Sequence, residues 1–373
     1  MPRVVPSSEI PVWLRLIETM KTKSFIVLLV CILGTSMLLI AFGNQRPTIQ
    51  TIVHETNKQL SRLNLRKENL LVFQPSIDTV ALESLGFVKN PRLYPEHKWT
   101  NITLPPIVSA VKQGDELNIA TGFVKNARFH AQKHTIIVYD LGMRKYDAET
   151  LSSLCNCSIP QAYCCLRPFD YSRYPAHVST MKFKAYRPLI IQEVLNEIGA
   201  ALWLDIDYRF VSKNMEPLVE RAKTQGVLTW SAVEPTSMLT HPKMFSFFRT
   251  VAQKFYFHHM VGAEHAIFFN TKLIHEKIML PWVQCALKSE CISPIGAQEK
   301  GCSFDKKPLF RYSGCHRYDS SALTIVLGLT FPDSSNYTAS DYTFFRRLGE
   351  DWDYVDADST KFNGSHGTDI RRR

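Results

Sequence analysis

The sequence predicts an α/β domain built on a mainly parallel sheet sandwiched by helices, behind one N-terminal membrane-spanning helix. Three observations carry the prediction. An uncharged run of about 20 residues, 24–43, is long enough to cross a hydrocarbon layer. Short β-branched or apolar runs alternate with amphipathic stretches further on, the pattern of a parallel sheet with crossover helices. Two carboxylates, Asp205 and Asp207, follow directly on one of the buried runs.

The N-terminal run reads SFIVLLVCILGTSMLLIAFG and offers only Thr35 and Ser36 as a polar face. Arg3, Arg15, Lys21 and Lys23 precede it, and Arg46 is the basic residue close behind it. The excess of positive charge on the N-terminal side assigns residues 1–23 to the cytoplasm and the rest of the chain to the lumen or exterior. A cleaved signal peptide is the rival reading, with Ala41-Phe42-Gly43 as a loose small-x-small site. Both readings give the domain the same compartment. The expectation is a single-pass type II protein of the Golgi or endoplasmic reticulum.

The cysteines agree with an oxidising compartment. Of nine, Cys31 lies in the span, which leaves eight in two groups of four: Cys155, Cys157, Cys164 and Cys165, then Cys285, Cys291, Cys302 and Cys315. An even luminal set suits disulfides, although eight cysteines leave the connectivity open. A zinc site is the alternative for the second group, whose spacing lacks the close pairs of structural zinc sites. Adjacent Cys164 and Cys165 are expected to pair outward. Sequons at Asn101, Asn156, Asn336 and Asn363 mark possible glycan acceptors.

Composition fits a folded domain, with 45% hydrophobic and 21% charged residues. The net charge of +10 does not imply nucleic acid, because the basic residues are scattered and form no stripe interleaved with aromatics. Residues 44–110 are polar and proline-punctuated, and read as a stem. The domain is expected over 111–350, with a polar tail over 351–373.

Within the domain, Leu117–Phe123 and Thr135–Tyr139 read as the first strands, with Ala162–Leu166 as another. Lys184–Ile198 has Tyr186, Leu189, Ile190, Val194 and Ile198 on or near one face of a helix, and Gly199 stops it. Ala200–Leu204 is short, wholly apolar and suited to a strand buried on both faces. A helix over Met215–Lys223, strands at Val227–Trp230 and Ala266–Phe269, and a helix over Ser320–Leu329 complete the pattern.

The chemistry centres on Trp203-Leu-Asp-Ile-Asp207. Open α/β sheets bind ligands beyond the carboxyl ends of their strands, where Asp205 and Asp207 would emerge. Hard divalent cations take such oxygen ligands and share them with substrate phosphates. A metal there neutralises a departing diphosphate, as transfer from a sugar nucleotide requires. The same spacing recurs in the polar tail at Asp351/Asp353 and Asp356/Asp358, so only the buried strand ahead of it distinguishes the first pair. In the rival reading the two aspartates cap a turn or pair with Arg209. No Gly-x-Ser-x-Gly elbow, His-Glu-x-x-His or phosphate-binding glycine loop is present to support a hydrolase.

Several segments together resemble a nematode-expanded, uncharacterised family of single-pass membrane proteins with a glycosyltransferase-like domain. They are Thr135–Gly142, Arg167–Pro175 with Lys184–Ile191, the strand ending at Asp207, Pro281–Leu287 with Cys291, and His316–Leu323. The resemblance spans about residues 117–330 and implies a GT-A type sandwich. It implies that Asp205 and Asp207 hold Mn²⁺ or Mg²⁺ and the diphosphate of a nucleotide-sugar donor, with a glycan or protein acceptor. His316 is a candidate further metal or phosphate contact, against a bland reading as a surface histidine beside a disulfide. Asp319 is a candidate helix N-cap. Glu264 and Glu234 are the candidate general bases for an inverting transfer. A non-catalytic glycosyltransferase-like protein that binds glycan or protein is the alternative. One departure favours that alternative. Only 11 residues separate Phe123 from Thr135, fewer than a helical crossover generally needs, so the first crossover helix is expected to be missing.

Overall fold

The computed structural model describes residues 26–27, 30–37, 79–87, 99–112, 114, 117–158, 163–339 and 344–349. The chain divides into two compact units, 1–72 and 73–373. Of the first, the described residues are helical. Most of the expected span 24–43 lies outside the described residues, and among those no helix is long and apolar enough to cross a membrane. The tail 351–373 and much of the expected stem also lie outside them.

The second unit is a three-layer α/β/α sandwich. In chain order its main strands are β1 (Ile107–Val111), β2 (Ile136–Asp140), β3 (Cys164–Pro168), β4 (Ala200–Leu204), β5 (Tyr208–Phe210), β6 (Val227–Pro235), β7 (His259–Phe269), β8 (Thr338–Ala339) and β9 (Phe345–Arg347). The large sheet runs β3-β2-β1-β4-β7-β6-β8. β3, β2, β1 and β4 are mutually parallel, β7 runs antiparallel between β4 and β6, and β8 is parallel to β6. β5 and β9 form a separate antiparallel ribbon.

Successive strand side chains point to opposite faces, and the two faces build two cores. Val108, Ile137, Ala201, Trp203 and Phe268 pack on one side. Ile107, Val138, Leu202, Leu204 and Ile267 pack on the other. The helices are α1 (Thr79–Ser84), α2 (Leu117–His130), α3 (Lys145–Leu154), α4 (Tyr186–Glu197), α5 (Glu216–Gln225), α6 (Pro242–Phe247), α7 (Leu280–Ala286), α8 (Ser289–Ile292) and α9 (Tyr318–Thr330). α1, α4, α7 and α9 cover the first face, and α2, α3 and α5 the second.

The N-terminal part of the domain differs from expectation. Leu117–Phe123 is not a strand but the start of α2. Its buried residues Ala120, Phe123, Val124 and Ala127 recur at the helical spacing, and Arg128 lies in the last turn, where the helix dipole favours positive charge. The first strand is instead Ile107–Val111, buried at every position, so the expected stem-to-domain boundary at 110/111 falls inside β1. The first crossover helix is therefore present and joins β1 to β2. α1 also belongs to the folded unit: Ala81, Leu82 and Leu85 are buried, and Asn196 Nδ2 donates to the Leu85 carbonyl at 2.7 Å.

The other expected elements are present with shifted ends, and β7 extends seven residues ahead of the short run foreseen, reaching back to His259. All eight cysteines of the unit pair within their groups, as Cys155–Cys164, Cys157–Cys165, Cys285–Cys291 and Cys302–Cys315. Cys164 and Cys165, which open β3, pair outward to Cys155 and Cys157 at the start of the loop after α3, and the second group supplies no thiolate set for zinc. Asn101 and Asn156 are exposed and Asn336 half-buried; Asn363 lies outside the described residues.

Candidate functional site

The strand order reverses between β1 and β4, since the chain leaves β1 toward β2 and β3 and returns to β1's other side at β4. In open α/β sheets that reversal opens a crevice at the carboxyl ends of the two strands. Asp205 is the residue after β4, and its N–H continues the ladder by donating to the Glu264 carbonyl of β7 at 2.8 Å.

The Asp205 side chain turns inward. Its Oδ1 accepts from Trp203 Nε1 at 2.7 Å and Arg187 Nη2 at 2.9 Å, and its Oδ2 accepts from Arg187 Nη2 at 2.6 Å and Lys184 Nζ at 3.3 Å. Arg187 sits in the first turn of α4 and is fully buried. Its Nη1 donates to Asp319 Oδ2, which is also buried, in the first turn of α9. A buried charge is tolerated only when paired and hydrogen-bonded, and Arg187 is shared between two carboxylates for that reason. Trp282 Nε1 donates to the Asp319 carbonyl at 3.0 Å and steadies that turn.

Lys184 stands just before α4 with φ 50°, left-handed backbone that a lysine adopts only under local constraint. That conformation ends the turn Met181–Phe183 and aims the ammonium at Asp205 and, at 4.0 Å, at Glu264 Oε1. Side-chain exposure rises outward through the cluster: Arg187 0%, Asp319 3%, Asp205 15%, Glu264 28%, Lys184 30%. Glycine at 262 matters to this arrangement, because a Cβ there would overlap Glu264 Oε2.

The electrostatics follow from depth and partners. Burial pushes the Asp205 carboxyl up, but Arg187 and Lys184, with the hydrogen bonds from Arg187 and Trp203, outweigh it and hold the group at about 2. Asp319 shares the same guanidinium, yet burial dominates and raises it to about 6. The difference is physical: Asp205 has Lys184 in contact and hydrogen bonds from Arg187 and the Trp203 indole N–H, while Asp319 is less exposed and is pushed further up by the Glu264 and Asp205 carboxylates. Burial also opposes ionisation of Glu264, and Lys184 and Arg187 reverse the balance to give a lowered value. Lys184 is pushed down by burial and, more strongly in sum, up by Asp205, Glu264 and Asp319.

The remaining sequence candidates lie elsewhere. Asp207 is one-third exposed and accepts from Arg347 Nε of β9 at 2.8 Å, so the two aspartates serve different partners. Arg209 pairs with neither aspartate: its guanidinium donates to the carbonyls of Ile119, Ile206 and Tyr208 and so ties α2 to the turn after β4. His316 is not a surface residue. It is fully buried, Nδ1 accepts from the His241 N–H at 3.2 Å and Nε2 donates to the Ile292 carbonyl at 3.1 Å. Burial drives it down to about 3. A neutral ring with both nitrogens engaged has no lone pair or proton left for a metal or phosphate. Asp319 points at Arg187 rather than capping its helix, whose N-cap residue is Arg317. Glu234 is half-buried near the end of β6, away from the cluster's contacts.

The resemblance implies a divalent metal at Asp205 and Asp207, and the residues present do not fit one. A carboxylate offers about four lone-pair sites, and Asp205 receives four donor contacts, from Trp203, Arg187 twice and Lys184. A divalent ion there would also face a guanidinium and an ammonium at contact distance, a repulsion that Glu264, already beside Lys184, offsets only in part. Among the described residues, no group of three or more His, Cys, Asp or Glu side chains is placed to hold a metal ion.

Lys184 and Arg187 are the members that the motif reading missed. The signal was an arginine in the otherwise apolar buried face Tyr186–Ile191, which demands a buried anion.

No protein-family model and no curated protein matches the chain. Solved structures similar to it include the WbbM bifunctional glycosyltransferase, at 14% identity and TM-score 0.34 over 52% of this chain and 35% of that one. The chain thus spans about a third of that protein's length. Others are core-mannan synthase A from Aspergillus fumigatus in its Mn/GDP form, at 9% identity and TM-score 0.39 over 66% of this chain and 75% of that one, and the mannosyltransferase Ktr4p from S. cerevisiae, at 10% identity and TM-score 0.40 over 82% of each. Likeness this low carries no argument; the α/β architecture rests on the strand order and packing described above.

Proposed function

We propose that the domain binds a nucleotide-sugar donor at the β1/β4 crevice and acts in glycosyl transfer to a glycan or protein acceptor in the Golgi or endoplasmic reticulum. The observation that carries the reading is the position of the charged cluster at the carboxyl end of β4, beside the strand where the order reverses. The helical crossover after β1 supports it further, because a missing helix was the main sequence argument against a working nucleotide site. Four disulfides support an oxidising compartment, and the uncharged run 24–43 supports a type II anchor. Glu264 is held ionised and is a weak base, which suits it to anchoring Lys184 better than to taking the acceptor's proton.

The non-catalytic reading is favoured by one observation, the inward turn of Asp205 onto Arg187. A binding experiment separates the two. The luminal domain, expressed through a secretory pathway, is titrated calorimetrically with a panel of UDP- and GDP-sugars in the presence of Mn²⁺ and again in EDTA. Saturable binding of at least one donor under either condition, followed by transfer or hydrolysis of its sugar, is the expected result. Failure of every donor in a correctly folded domain assigns the protein to the non-catalytic class.

A further inference from the structure

Lys184 is the outermost member of the cluster, and its placement is expensive in backbone terms: a non-glycine residue in left-handed conformation, immediately ahead of a helix. Its ammonium carries three donors. One is directed to Asp205 Oδ2 at 3.3 Å, and Glu264 Oε1 lies at the longer ion-pair distance of 4.0 Å. At least one N–H is therefore left for an acceptor arriving from solvent. Behind it, Arg187 pairs with Asp205 and Asp319 and is wholly buried, so it cannot reach a ligand from solvent.

We propose that Lys184, in the place a divalent cation would otherwise take, supplies the positive charge that meets the donor's diphosphate, so that nucleotide diphosphate binding at this site is independent of metal. The inference rests on the donor-binding reading above and assigns its charge chemistry. Asp205 and Glu264 act as positioning residues: they hold the ammonium beside the carboxyl end of β4 and keep it protonated. Lysine is suited to this as a compact point charge on phosphate. Lys184 and Arg187 face three carboxylates, Asp205, Asp319 and Glu264, and Lys184 is the cation on the solvent side of them; without it Arg187 alone would oppose all three, and the more negative cluster would repel a diphosphate more strongly.

The test uses UDP and GDP, with uridine and guanosine as phosphate-free controls, titrated into the parent domain and into Lys184→Met and Lys184→Arg. Each titration is run in EDTA and in excess Mn²⁺, with circular dichroism to establish folding. The parent is expected to bind one diphosphate equally well in both buffers. Lys184→Met should weaken the diphosphate by about tenfold or more, the worth of one charge-assisted hydrogen bond, while leaving the matching nucleoside unaffected; Lys184→Arg should recover part of the loss. Binding by the parent that requires Mn²⁺ overturns the inference and leaves the donor-binding reading standing. So does a folded Lys184→Met that binds as the parent does. Absence of binding in both buffers sinks the donor-binding reading itself, and this inference with it. The metal comparison needs only the parent protein, so a variant that fails to fold does not remove the test.

Discussion

Replacing Arg187 by methionine removes the one cation shared by two buried carboxylates. The side chain is fully buried, and Asp319 and Asp205 expose only 3% and 15% of theirs. Deleting one partner of a buried pair costs about 3–5 kcal/mol, because it leaves a charge in low dielectric without a counter-ion. For a domain of this size that corresponds to a fall in Tm of about 6–20 °C. The loss should depend on pH, with a sign fixed by the carboxyls. In the parent, Asp319 is raised to about 6, so its ionisation costs stability that is intact below its ordinary value of 3.8 and declines as pH rises through 6. Asp205, held at about 2, contributes stability above 3.8 that is lost only as pH falls toward 2. Without the guanidinium both groups move upward, and at pH 5 they protonate at little cost, whereas at pH 8 they must ionise or be held neutral against the solvent. The deficit of Arg187→Met relative to the parent should therefore be larger at pH 8 than at pH 5. Thermal unfolding followed by tryptophan fluorescence at the two pH values measures it. Equal deficits, or none at pH 8, would refute the account of the cluster as a buried counter-ion network.

Two further outcomes follow from packing and covalent structure. Gly328 lies in α9 where an added Cβ would stand 2.8 Å from Phe255 Cε1 and His258 Nε2; Gly328→Ala should lose about 1–3 kcal/mol to overpacking, outweighing its helix-propensity gain of about 1 kcal/mol, and a Tm at or above the parent's would contradict this. Non-reducing peptide mapping of secreted protein should recover Cys155–Cys164 with Cys157–Cys165 in one linked fragment, and Cys285–Cys291 and Cys302–Cys315 separately; a bridge between the two groups would contradict the pairing.

Much of the architecture was legible in the sequence because its signals are strong and local. Ala200–Leu204 is apolar at every position, Thr135–Tyr139 is β-branched, and the α4 segment repeats at helical spacing and stops at Gly199. The failures have local causes too. Ile107–Val111 hides behind Pro105-Pro106 in a proline-punctuated reach, where its five buried residues are easily taken for a stem. Leu117–Phe123 carries Ile119 and Thr121, which favour extended structure, while the stripe that decides for a helix, Ala120, Phe123, Val124 and Ala127, reaches beyond that segment. Mistaking a helix for a strand in turn made the real crossover look too short, so one local error produced a false functional argument.

The site was half legible for a different reason. An Asp-x-Asp pair after a buried strand has two physical outcomes: outward carboxylates that bind a cation, or an inward counter-ion for a charge the core already holds. The strand alone does not choose between them. The choice lies with Arg187, 18 residues upstream of Asp205, and with Asp319, 132 residues beyond Arg187 on another helix. No spacing rule links residues so far apart. What sequence does offer is the cost argument run backward: an arginine placed among Tyr186, Leu189 and Ile190 would not be tolerated unpaired, so some acidic residue near the end of the adjacent strand had to turn inward to meet it. Asp205 is that residue, and Lys184 then becomes the outermost cation of the group.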